Sequence, residues 1–319
     1  MDCTSPTTAE EESHETTVTD QSPVLMIGAT GRLGGQVVDA LLGRGKHVRA
    51  LVRPNSDVRR LEAKGVEIVR GDMLDQGSLR RAMDEADSVI TTAAGYTRRQ
   101  KGATEIDTVG NANLAEAASQ AGVRRYVLTS ILTSDQTPNV SHFWNKKRAE
   151  DHLEEFGVPF VALRPGSILD LVAELGGDPF AKGRFIWLGS TRVPLTFVLA
   201  TDLAGYLATA VDAAGVEGQR IDIGWNRPVS MREIAEISGR LLGRKIRVRS
   251  IPNGPIRAIG AGIGWAAPVA KDIGAMVAWF ETGNFVADTT RQAEVFGPVP
   301  TPENAIARFA ARLGHAGRA

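Results

Sequence analysis

A β-rich run, Val24-Leu25-Met26-Ile27, leads directly into Gly28-Ala29-Thr30-Gly31-Arg32-Leu33-Gly34 and then into an amphipathic stretch reaching Gly43. Strand, glycine loop and helix in that order leave few folds open, because the loop must turn tightly and still let the helix lie close on the strand. Gly28 can make the turn, Gly31 lets the backbone approach a ligand, and Gly34 permits close packing. The first interval is one residue longer than in the dehydrogenase fingerprint. The amides and positive dipole end of the helix N-terminus favour a pyrophosphate, so the residues from Gly28 to Gly34, with Ala29, Thr30, Arg32 and Leu33 among them, are candidate dinucleotide contacts.

The alternation continues down the chain. Val48 to Val52, Val66 to Val69, Ser88 to Thr92, Tyr126 to Thr129 and Phe160 to Leu163 read as further strands. Helices fit between them, notably Val109 to Ala121 and Lys146 to Phe156. This rhythm predicts an α/β fold, a doubly wound parallel Rossmann sheet with a small C-terminal substrate lobe. The nucleotide-binding domain is expected over 23–167, with returning elements about 195–225, and the substrate-binding lobe over 168–194 and 226–319. Ser230-Met231-Arg232-Glu233 is a capping box opening a helix to Leu242, and Thr301-Pro302 opens a last helix. Ala258 to Ala270 reads as a buried or cleft-lining helix, too short to cross a bilayer. Residues 1–22 hold six acids, no base and few apolar side chains, a composition that predicts a disordered acidic tail.

The end of the second strand bears on the cofactor. Proteins that take NAD place a carboxylate there for the ribose hydroxyls, whereas this chain has Leu51-Val52-Arg53-Pro54. A guanidinium at Arg53 can pair with a 2′-phosphate, and Arg32 can approach it from the glycine loop. NADP(H) is therefore favoured over NAD(H). Gly71-Asp72-Met73 follows the third strand, with Asp72 placed to accept from an adenine amino group and Met73 beside the ring. Thr92-Ala93-Ala94-Gly95 follows the fourth, its small side chains letting ribose and phosphates lie near the backbone.

Composition sets the outer limits. The 37 bases and 37 acids cancel, and the acidic tail leaves 37 bases against 31 acids over the rest. That excess suits a polyanionic cofactor and is too small to argue for nucleic acid. The lone cysteine, Cys3, allows neither an internal disulfide nor a cysteine-rich metal site. The histidines show no metal-ligand spacing, so no metal is expected. With no leader or long apolar run, the expectation is a cytoplasmic protein without membrane or nucleic-acid partners.

Taken together, Gly28 to Gly34, Arg53, Gly71-Asp72, the stretch Asn113 to Ser130, Arg164-Pro165-Gly166 and Thr201-Asp202-Leu203-Ala204 resemble the NmrA-like atypical short-chain dehydrogenase/reductases. The resemblance implies NADPH-dependent reduction or non-redox cofactor sensing, and puts Pro165, Gly166 and Ser167 near a nicotinamide. In the active short-chain enzymes a Tyr and a Lys four residues later carry the chemistry. The corresponding text here is His142-Phe143-Trp144-Asn145-Lys146, without the tyrosine. Lys146 can still hold the ribose, His142 can act as acid or base near neutral pH, and Ser130 or Thr133 can polarise a carbonyl. Phe180, Phe185, Trp187, Trp265, Trp279 and Phe280 point to a small hydrophobic or aromatic substrate. The reading that follows is reduction of a carbonyl or activated double bond. A sensor that binds NADP(H) without turnover, or an epimerase or dehydratase that retains its cofactor, are the alternatives.

Overall fold

Seven parallel strands form the central sheet: β1 (Val24–Ile27), β2 (Val48–Val52), β3 (Glu67–Arg70), β4 (Ser88–Thr91), β5 (Arg125–Thr129), β6 (Phe160–Pro165) and β10 (Gln219–Ile223). In this computed structural model, which describes residues 22–95, 105–255 and 268–315, their order is β10-β6-β5-β4-β1-β2-β3. The chain reverses direction across the sheet between β1 and β4, where Val24 to Ile27 pair with Val48 to Leu51 on one side and Ser88 to Thr91 on the other. Ligands bind at such a switch point, outside the carboxyl ends of the strands.

Period-two alternation within β1 explains the layers. Val24 and Met26 pack with Val37, Val38 and Leu41 of helix Arg32–Gly43 and with Leu203 and Leu207 of helix Ala200–Ala210. Leu25 and Ile27 face the other way, onto Leu79, Met83, Leu114 and Leu153. Both faces are thus covered, which is why β1 is apolar at every position. Each such Val, Leu or Ile contributes roughly 1.5–3 kcal/mol on full burial.

The strands and helices expected from the pattern form, with edges moved by a few residues. β3 begins at Glu67 and β6 runs on to Pro165. The helix expected from Lys146 starts at Ser141, so His142 lies in its first turn and not in a loop. The segment expected as helix from Val109 is a π-helical turn, Ile106–Gly110, followed by helix Asn111–Ala121. The capping box is half made: Ser230 accepts from the Glu233 amide at 3.1 Å, but the Glu233 carboxylate pairs with Arg227. Thr301 caps helix Pro302–Arg312. Residues 1–21 and most of 258–270 lie outside the described residues.

The remaining strands were not visible in the sequence pattern. β7 (Ser167–Ile168) pairs with β9 (Phe197–Val198), and β8 (Arg184–Leu188) with β11 (Arg247–Ile251). A third apolar cluster joins Phe180, Phe185, Phe197, Trp225, Phe285 and Phe309, and also takes Leu132, Val140 and Phe143 from the first half of the chain.

Candidate active site

The glycine loop is set by sterics. Gly28 has φ +90°, a conformation that disfavours any side chain, and a Cβ there would meet Thr92 Oγ1 at 2.8 Å. A Cβ on Gly34 would stand 2.0 Å from the Gly28 carbonyl oxygen, so helix and loop can approach this closely only without one. The Gly31 amide closes the turn onto Gly28 O at 2.9 Å. Helix Arg32–Gly43 has no capping side chain and no acid in its first turn. Its leading amides therefore lack intrahelical acceptors and a neutralising carboxylate, the condition that suits a phosphate.

A cleft opens beside this loop at the carboxyl ends of β1, β2 and β4. It is lined by Gly28, Thr30, Arg53, Ser56, Asp72, Met73 and Ala93 among others. Arg53 is exposed at its rim. The Arg70 guanidinium, at the end of β3, donates to the carbonyls of Arg53, Pro54 and Ser56 at 3.2, 3.1 and 2.9 Å and so braces the loop that carries Arg53. Sequence reasoning missed Arg70, for which the only signal was a cation ending an edge strand. Asp72 Oδ1 accepts from the Leu74 amide at 3.0 Å, which fixes the turn and leaves Oδ2 for a ligand. Met73 is buried against Gly110.

Arg32 departs from expectation. Its guanidinium does not turn toward Arg53; it pairs with Glu174 and reaches the Leu171 carbonyl, in the segment after β7. Glu174 also pairs with Arg312. Glu174 and the Leu171 carbonyl thus take the guanidinium that the glycine loop presents, although the side chain stays half exposed.

Lys146 is buried in mid-helix. Its Nζ donates to the Ala93 carbonyl at 3.0 Å, which ties it to the loop after β4 where Thr92 and Ala94 are half-buried. Burial lowers its pKa, while the charges of Asp107 and Glu150 oppose the shift. An ammonium has three donors, so protons remain for a ligand. Pro165 and Ser167 flank the point where β6 passes into β7, with the Ser167 amide on Thr196 O at 2.9 Å and Gly166 too close to Thr196 for any Cβ.

One turn before Lys146, His142 pairs through Nδ1 with Asp272, whose other oxygen accepts from the Ser141 amide. Asp272 therefore holds the helix N-terminus and fixes the imidazole together. Both side chains are largely buried, and the ring packs edge-on to Phe143 at 4.7 Å. Asp272 is 130 residues away in sequence, and no local pattern marks it.

Ser130 corrects the expectation of a substrate-facing hydroxyl. It is 1% exposed and its Oγ donates to Glu150 at 2.6 Å. Glu150 is fully buried and also takes Nε and Nη2 of Arg164, at 3.0 and 2.6 Å, and Nε of Arg220 at 3.0 Å. An unshared buried carboxylate would be costly, and the hydroxyl proton goes to meet it. Thr133, the other candidate, has φ +57° and accepts from Trp279 Nε1 at 2.9 Å. A non-glycine residue in that region is held there by its surroundings.

The aromatic residues expected around a pocket mostly make core. Phe180 packs on Phe185 and Phe309, and Trp187 stacks on Phe280. Trp265 lies outside the described residues. Among those described, no group of three or more His, Cys, Asp or Glu could hold a metal, and no helix is long and apolar enough to cross a membrane.

A parallel sheet, a glycine turn at its switch point and an uncapped helix above a cleft define a dinucleotide-binding Rossmann protein. The chain belongs to the NmrA-like family, whose model matches residues 20–296. It is 24% identical to the photosystem II assembly factor Ycf39 of Synechocystis sp. over 73% of this chain and 72% of that protein. It is 26% identical to the NAD(P)H azoreductase of Xenophilus azovorans, over 72% and 77%. Among solved structures, the triphenylmethane reductase of Citrobacter sp. complexed with NADP(H) superposes with a TM-score of 0.73 at 20% identity, covering 90% of this chain and 99% of that one.

Proposed function

We propose that the protein is an NADPH-dependent oxidoreductase that reduces a carbonyl or activated double bond of a small hydrophobic substrate. The observation that carries this reading is Lys146: a buried ammonium fastened to the cleft wall at Ala93, one helical turn from an imidazole oriented by Asp272. The azoreductase relative and the reductase neighbour support it, and the neighbour's bound NADP(H) agrees with Arg53 at the rim.

Gly28 to Gly34 would hold the pyrophosphate, Arg53 the 2′-phosphate, Asp72 and Met73 the adenine, and Lys146 the nicotinamide ribose, with Pro165 and Ser167 beside the ring. When bound, the reduced nicotinamide supplies hydride. His142 supplies the matching proton from Nε2. Asp272 at Nδ1 orients the ring and fixes the tautomer left afterwards. Ser130 has a positioning role, since with Glu150 it seats the helix that presents both residues.

NADPH oxidation with a panel of quinones, azo dyes and enones tests the reading. His142→Gln should cut turnover while NADPH affinity stays nearly constant. Lys146→Met should lower affinity and turnover together. An active preparation in which His142→Gln keeps the full rate would remove His142 from the chemistry.

A second reading has its own observation. The tyrosine is absent and Ser130 is committed to Glu150, and one relative is named an assembly factor. In that reading NADP(H) is sensed and not consumed. A difference between NADPH and NADP⁺ in their effect on partner binding or oligomer size, with no turnover, would favour it.

A further inference from the structure

The two-stranded β8–β11 sheet has two unlike faces. Phe185 and Trp187 point inward to the aromatic cluster, while Arg184 and Ile186 point outward. Parallel register places Arg184 beside Arg247, Ile186 beside Arg249 and Leu188 beside Ile251. One outer face therefore runs from paired arginines at one end to paired aliphatics at the other.

Its charge is unbalanced. Residues 182–189 and 244–251 contain Lys182, Arg184, Arg244, Lys245, Arg247 and Arg249 and no acid, in a chain whose bases and acids cancel overall. Lys182 and Arg244 donate to the backbone carbonyls of Gly176 and Phe180. The acids that come near in the chain are engaged elsewhere, Glu174 with Arg32 and Arg312 and Asp178 with His315. No carboxylate pairs with any of the six cations among the described residues.

Large aliphatic side chains stand among these charges. Ile186 is 41% exposed, Ile251 44% and Leu175 83%. Gly176 lies against Ile186, where a Cβ would be 3.3 Å from Cδ1, so the turn that carries Leu175 adjoins Ile186, and the register puts Ile251 on the same outer face two residues beyond Arg249. Cations on an edge strand guard against unwanted strand pairing, but that role gives no reason to expose the aliphatics. Nucleic-acid phosphates would satisfy the cations and leave the aliphatics in water.

We propose that this face docks the protein on an anionic membrane surface, arginine and lysine meeting the headgroups and Ile186, Ile251 and Leu175 entering the acyl boundary. Such docking is peripheral and needs no spanning helix. It is independent of the proposed reaction, since none of these residues lines the cofactor cleft.

Sedimentation of the full chain with vesicles tests it, at about 0.1 M salt, where charge attraction acts over about 10 Å. Wild-type protein should sediment with vesicles of equal phosphatidylcholine and phosphatidylglycerol and not with phosphatidylcholine alone. The combined variant Arg184→Glu, Arg247→Glu, Arg249→Glu should lower partitioning at least about tenfold. Ile186→Ser with Ile251→Ser should lower it several-fold while keeping the preference for anionic lipid. Unchanged NADPH affinity or melting temperature in each variant verifies folding, and Arg184→Gln with Arg249→Gln serves as the milder pair if the triple variant does not fold. No sedimentation of wild type with anionic vesicles overturns the proposal, as does equal sedimentation of a folded charge variant. Binding to duplex DNA without binding to vesicles overturns it in favour of nucleic acid.

Discussion

The cleft beside the glycine loop and the C-terminal aromatic lobe are built from different materials. Around the cleft, backbone and near neighbours do most of the work: Gly31 bonds Gly28, Ser56 bonds Arg53, and Asp72 bonds Leu74. In the lobe and at its border, side chains from distant parts of the chain meet, as in His142 with Asp272 and Arg312 with Asp170. A site made of local turns leaves a spacing pattern in the sequence. A site made of long-range pairs leaves none.

The largest test of this contrast lies where the two meet. Glu150 ties the helix of His142 and Lys146 to β6 and β10 through Arg164 and Arg220. Glu150→Ala would take from buried Arg164 the carboxylate that holds two of its nitrogens, leaving it Asp135 alone, and should cost about 3 kcal/mol in chemical denaturation, the low end for a broken buried pair. A loss below about 1 kcal/mol, in the range of surface pairs, would show that the network does not seat the helix.

Arg53→Ala sharpens the other side of the comparison. The residue is exposed and has no carboxylate partner among those described, so its loss should leave stability within about 0.5 kcal/mol. NADPH binding should weaken by about 1.5–3 kcal/mol and NADH binding hardly at all. Isothermal titration with both cofactors reads this directly, and equal weakening of both would mean that Arg53 acts on loop shape and not on the 2′-phosphate.

The smallest effect concerns Asp222 on β10. Burial pushes its pKa up to about 6, with the Asp288 amide partly opposing the shift. A raised carboxylate pKa means that the fold tolerates the neutral form better. Asp222 therefore adds stability below the usual value of 3.8 and loses it as pH rises through about 6. Asp222→Asn should remove that decline and stabilise the protein at neutral pH by about 1–2 kcal/mol, reduced from the full linkage value because the group is partly exposed. Parallel pH profiles for wild type and variant would contradict it.

Much of the fold was legible because apolar alternation and turn residues are local signals. Helix Arg32–Gly43 begins and ends where the glycines and the amphipathic pattern place it. β11 was not legible, since two apolar residues spaced among arginines and a serine resemble loop, and the apolar run Phe185 to Leu188 of β8 sits in a glycine-rich stretch that reads as loop without its partner strand. At the candidate site, Gly28 to Gly34, Arg53, Asp72 and Lys146 were named from motif and order. Asp272 and Glu150 were not, because a carboxylate's partner depends on which helices pack together. The orientations of Arg32 and Ser130 were misjudged for the same reason: each had an acid waiting that sequence spacing could not reveal.

Titration of the wild-type protein with NADPH and NADH, followed by competition with 2′,5′-ADP, tests the central claim most directly. Arg53 at the end of β2, with no carboxylate there to receive a ribose 2′-hydroxyl, predicts saturable binding of NADPH that is at least about tenfold tighter than NADH. 2′,5′-ADP should displace NADPH from the same site. Equal affinities for the two cofactors, or no displacement by 2′,5′-ADP, would contradict the account.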